Sequence, residues 1–126
     1  MEPLAEVFSF QGRANRAWYF WHILLDDVVM ITALILLVAI GSALDSPLIF
    51  LPAIGVLFAG VWAGLAMTVK RLHDIGRPGW HWFLLAIPLY NIYLGLVLLF
   101  EKGTSGANRY GRDPLEMGRA GAYLEA

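Results

Sequence analysis

The sequence predicts an all-α integral membrane protein with three transmembrane helices and a short Gly-rich C-terminal tail. Residues 28–44, 48–69 and 80–100 contain no Asp, Glu, Lys or Arg. The second and third runs are long enough to cross a bilayer as helices, and the first reaches the lower limit. Hydrophobic residues make up 59% of the chain and charged residues 15%, with a mean hydropathy of +0.63, outside the balance of a soluble domain. Between the apolar runs lies Lys70-Arg71-Leu72-His73-Asp74-Ile75-Gly76-Arg77-Pro78-Gly79-Trp80, a concentration of polar side chains that reads as a turn at the membrane edge.

A length of 126 residues allows one compact unit, taken as residues 1–114 with spans near 20–44, 48–69 and 80–100, then a tail or weak helix over 115–126. The net charge of -1 supplies no global field, so no nucleic-acid partner is expected. The absence of cysteine excludes disulfides, thiolate catalysis and cysteine-held metals.

After a mixed tail over residues 1–11, Gly12-Arg13-Ala14-Asn15-Arg16-Ala17-Trp18-Tyr19-Phe20-Trp21 passes from basic to aromatic. That order suits entry into a bilayer, because cations hold phosphates while indole and phenol rings sit at the polar boundary. A cleaved signal peptide is the competing reading. It fails because the apolar run exceeds the ~7–15 residues of an h-region and Asp26-Asp27 stand where basic residues belong. Asp45-Ser46-Pro47 is short enough for a tight helical hairpin. Gly76 reads as a left-handed helix end, and Arg77-Pro78-Gly79-Trp80 as a type II turn.

In the third run, Pro88 lacks the N–H that would reach the Leu84 carbonyl and should kink the helix, with Asn91 near enough to bridge the defect. With three crossings, the N-terminus and the Lys70 turn share one side and the C-terminal tail lies on the other. Basic residues number five on the first side (Arg13, Arg16, Lys70, Arg71, Arg77) and four on the second (Lys102, Arg109, Arg112, Arg119), which leaves the orientation undetermined. In the tail, three glycines with Asn108, Arg109 and Arg112 lack the order of a phosphate loop and read as an ordered surface loop. Asp113-Pro114-Leu115-Glu116 reads as a capped helix start, weakened by Gly118 and Gly121.

Two groups of residues invite a functional reading. Arg13, Arg16, His22, Asp26 and Asp27 precede or enter the first span, while Lys70, Arg71, His73, Asp74 and Arg77 form the turn. An unpaired charge within a span costs about 2.5–3.5 kcal/mol, so Asp26 or Asp27 facing Lys70 or Arg71 is the expected arrangement. The group reads as a structural ion-pair layer, with a site for a lipid headgroup, an anion or a proton as the alternative. His22, His73 and His81 lack metal-ligand spacing, so neither a metal nor a cofactor is expected. The second group is the small-residue stripe Gly60, Gly64 and Thr68, with Gly55, Ala59 and Ala63 beside it. Such a stripe serves close packing against the protein's own helices or a dimer or docking face.

The motifs Phe10-Gln11-Gly12-Arg13 with Arg16 and Trp18-Tyr19, the run from Lys70 to Trp80, and Gly103-Thr104 through Asn108-Arg109-Tyr110-Gly111-Arg112-Asp113-Pro114 together resemble the domain of unknown function 805 family of small bacterial inner-membrane proteins. Pro78 and Lys70 depart from the family's more usual Ser and Arg. The resemblance implies location and architecture: a multi-pass protein of the bacterial cytoplasmic membrane, in contact with lipids. It carries no activity. No nucleophile, base and orienting group can be assembled from these residues, so no catalytic residue and no enzyme activity are expected. The expected role is an interaction or assembly subunit in a homo-oligomer or larger membrane complex. A small transporter or channel-like component gated by His73, Asp74 and Asp26, or a lipid-headgroup-binding helper, are the alternatives.

Overall fold

The computed structural model describes residues 7–116, whose regular structure is helical. Helix α1 (Arg16–Leu44) starts at Asn15, whose side chain accepts a hydrogen bond from the Trp18 N–H at 2.8 Å. It ends at Asp45 in the left-handed region, φ +49°, with the Asp45 N–H donating to the Gly41 and Ser42 carbonyls. Ser46 caps a single 3-10 turn, Pro47–Ile49, and helix α2 (Phe50–Asp74) follows at once. At 1.5 Å per residue, 29 and 25 residues give helices of about 43 and 37 Å, ample for a hydrocarbon core of ~30 Å.

The two long helices pack along a seam of small residues. A Cβ on Gly60 would collide with Met30, and one on Gly64 would lie 3.3 Å from an Asp26 carboxylate oxygen and 3.6 Å from Ile23. Away from the seam, large apolar side chains such as Leu36, Leu44 and Leu51 are exposed, as lipid-facing surface requires. The buried core lies at one end of the hairpin, where Trp18, Tyr19, Ala63, Met67, Leu72, Leu94 and Leu98 meet.

Helix α2 ends as predicted at Gly76, φ +80°. The Gly76 N–H donates to His73 O and the Arg77 N–H to Leu72 O, the paired bonds of a Schellman motif. The type II turn expected next is absent, because Gly79 does not take a positive φ. Pro78 instead caps a 3-10 helix, Gly79–Ala86. Gly79 is required there by proximity, since a Cβ would come within 2.9 Å of Val69.

The all-helical membrane class holds, with two long apolar helices and a shorter third, α3 (Tyr90–Phe100, 11 residues). The continuous helix expected over residues 80–100 does not form. The 3-10 helix stops at Ile87, and Leu89 adopts φ +69° and ψ -48° between the Pro88 carbonyl and the Tyr90 N–H, which are bonded at 2.8 Å. This is a γ-turn of the strained, positive-φ kind. The Asn91 backbone N–H, at 2.9 Å from Ile87 O, starts the new helix. Both ends of the third segment meet the end of α2: Gly79 beside Val69 and His73, and the Leu98 carbonyl on Arg71.

The C-terminal loop consequently packs beside the Lys70 turn, which corrects its expected placement on the opposite side. Its Thr104 N–H donates to Asp74 O at 2.7 Å. Asp113 caps the predicted helix start by accepting from the Leu115 N–H at 3.0 Å, and the short Pro114–Glu116 turn follows. The rest of the expected weak helix, with Gly118 and Gly121, lies outside the described residues.

Candidate functional site

The charged end is built around Asp74, the last residue of α2. Its Oδ1 accepts from Arg13 Nε at 3.1 Å and its Oδ2 from Arg71 Nη1 at 2.8 Å. Both guanidiniums are then filled by backbone oxygen. Arg71 donates to Leu98 O at 2.6 Å and to Glu101 O, the carbonyls at the open end of α3. Such carbonyls lack helical partners and carry the negative end of the helix dipole. Arg13 donates to Thr104 O at 2.6 Å, Gly106 O at 2.7 Å and Gly111 O at 3.2 Å. One carboxylate and two arginines thus tie together the entry to α1, the end of α2, the end of α3 and the C-terminal loop.

Around this clamp the other predicted residues take structural positions. Arg16 donates to Phe100 O at 2.9 Å. Buried Lys70 places its ammonium 5.3 Å from the Trp18 ring centroid, a cation–π contact, and its carbonyl accepts from the Ala14 N–H. His73 bonds the Gly12 carbonyl through Nδ1 and stacks flat on Tyr110, with ring centroids 3.9 Å apart. His22 stacks on Trp18 and bonds the Trp18 carbonyl. Arg77, in the turn, is hydrogen-bonded to Tyr90, which lifts its pKa above the ordinary guanidinium value.

The predicted pairing of Asp26 or Asp27 with Lys70 or Arg71 is not made. Asp26 stands ten residues into α1 from Arg16, which is about 15 Å along the axis and out of reach of the layer. It has no hydrogen-bond or ion-pair partner among the described residues, and Asp27 is exposed. Asp26 and His22 line a cleft of about 500 Å³ between the long helices, otherwise apolar, with Phe8, Met30, Val56 and Met67 among its walls. Among the described residues no three His, Asp or Glu side chains converge in a way that could hold a metal ion.

The stripe of Gly60, Gly64 and Thr68 faces α1. Gly60 meets Met30, Gly64 meets Asp26 and Ile23, and the Thr68 hydroxyl lies 3.2 Å from that of Tyr19. The stripe thus packs within the chain, against α1. Reasoning from sequence missed the partners in the C-terminal loop. Gly103 leaves no room for a Cβ beside the Asp74 carboxylate, Asn108 donates to His73 O at 2.9 Å, and Asp113 accepts from the Gly106 N–H at 2.9 Å. The usable signal was Pro88, which breaks the third run and leaves a helix too short to carry the loop away.

Comparison with known proteins agrees with this architecture. The family described as protein of unknown function (DUF805) matches over residues 7–112. Inner membrane protein YhaI of Escherichia coli strain K12 is 33% identical over 114 residues, covering 90% of this chain and 92% of the relative. Inner membrane protein YhaH of the same strain is 30% identical over 125 residues, covering 90% and 93%. No solved structure matches the chain significantly.

Proposed function

The chain belongs to the DUF805 family and is a multi-pass inner-membrane protein, and from that premise we propose that it works as an interaction or assembly subunit within the bilayer rather than as an enzyme. The observation that carries this reading is the outer face of α2. Ile54, Phe58, Val61 and Trp62 are exposed there and line a shallow hollow of about 330 Å³. One turn away is Gly55, where a Cβ would meet nothing within 4 Å, so a second helix has room to approach closely. The charged end supports the same reading by elimination. Asp74 is held on both carboxylate oxygens and His73 is stacked and bonded, so neither is a mobile group for the gate that a transporter would need.

Native mass spectrometry of the gently solubilised protein tests the proposal. A complex with itself or with another membrane protein is expected, and Gly55→Leu should reduce it by about tenfold without lowering the melting temperature, since no described residue lies within 4 Å of a Cβ there. Wild-type protein that remains monomeric and partner-free under these conditions would overturn the reading.

A further inference from the structure

We propose that the cleft between α1 and α2 is a lipid site selective for a primary-ammonium headgroup, phosphatidylethanolamine being the occupant, with Asp26 as the group that recognises the ammonium. Three observations support it. First, the cleft has the size and character of a small-ligand site, about 500 Å³, apolar except for Asp26 and His22. Second, Asp26 is a carboxylate without any partner among the described residues, while the neighbouring arginines are saturated elsewhere. An acyl chain alone would fill the apolar walls and leave that carboxylate bare, whereas an ammonium supplies charge-assisted donors to it. Third, the depth is right. The 18 residues separating Asp27 from the hairpin loop at Asp45 rise about 27 Å, close to the ~30 Å thickness of the hydrocarbon core, so Asp26 stands at the headgroup boundary when Asp45 stands at the other.

The wall of the cleft also explains its limits. Met30 closes against Gly60, and the N-terminal segment around Phe8, held by the Trp62 indole N–H at 3.1 Å from Phe8 O, borders the cleft from outside. His22 is fixed by its Nδ1 bond to the Trp18 carbonyl and contributes its ring to the wall. Asp27 lies outside the cleft and serves as the control.

The test is native mass spectrometry of the full chain in mild detergent, titrated with phosphatidylethanolamine or phosphatidylglycerol of identical acyl chains. Phosphatidylethanolamine adducts should persist at collision energies that strip phosphatidylglycerol. Asp26→Asn should lower their retention about tenfold, the equivalent of one charge-assisted hydrogen bond, and Asp27→Asn should not. Ala59→Phe, which fills the cleft from an exposed position, should abolish the adducts and decides the question if Asp26→Asn fails to fold. Equal retention of the two lipids by wild type, retention unchanged in Ala59→Phe, or equal losses in Asp26→Asn and Asp27→Asn would overturn the proposal. A dimer that excludes lipid from the cleft would also overturn it. The adduct mass is read separately from protein–protein complexes, so this outcome and that of the assembly proposal are independent.

Discussion

Asp74 neutralises two buried guanidiniums at once, so its removal is costly. Asp74→Asn keeps the shape and leaves Arg13 and Arg71 uncompensated, which for a broken buried pair costs about 3–5 kcal/mol. A drop in the detergent melting temperature, with loss of accumulation in the membrane, is expected. Arg71→Ala should do similar damage, and reversing Arg71 with Asp26 should give no rescue because Asp26 lies about 15 Å below the layer. Rescue by that exchange would place the two in contact and refute the geometry. Gly103→Ala should be destabilising by about 1–3 kcal/mol for a different reason, because its methyl overlaps the Asp74 carboxylate. The importance of Arg13, Arg71 and Asp74 was legible from their crowding at a membrane edge. Their pairing was not, since the acceptors that complete it are backbone carbonyls of α3 and the C-terminal loop, which no side-chain pattern announces.

At the level of elements, α1 and α2 were legible as spans near 20–44 and 48–69 from uncharged length and a three-residue link, whereas the start of α1 at Arg16 and the run of α2 through the charged residues to Asp74 were not. The third segment was not. Its composition satisfies a hydropathy criterion throughout, but the chain breaks at Ile87-Pro88-Leu89, and Leu89 sits 81% exposed at the tip with a positive φ. A β-carbon in that conformation costs roughly 1–2 kcal/mol, so Leu89→Gly is expected to hold or raise the melting temperature despite losing a large apolar side chain. Leu89→Pro should abolish the turn, since proline locks φ near -65°. If Leu89→Pro melts like wild type, the segment is a kinked helix after all. The same reasoning separates the two glycines on α2: Gly64→Leu should disrupt packing against Asp26 and Ile23, whereas Gly55→Leu should leave the fold intact.

For the whole molecule, the consequence is topological. An 11-residue helix that ends on Arg16 and Arg71 can place its far end no more than about 16 Å from that layer, whereas the hairpin loop at Asp45 lies about 43 Å from Arg16 along α1. The third apolar segment therefore leaves the charged layer and comes back to it, and the C-terminal loop packs with the N-terminal motif and the Lys70 turn. Their shared placement is also what makes one carboxylate sufficient for four pieces of backbone. The lack of any cysteine makes this directly measurable, since a single introduced thiol is the sole target for a membrane-impermeant maleimide. Gln11→Cys, Ser105→Cys and Asp45→Cys all alter exposed positions away from the buried core. Gln11→Cys and Ser105→Cys should label from the same side of the membrane and Asp45→Cys from the other. If Ser105→Cys labels together with Asp45→Cys, residues 80–100 cross the bilayer, and the Arg13–Asp74–Arg71 clamp cannot form as described.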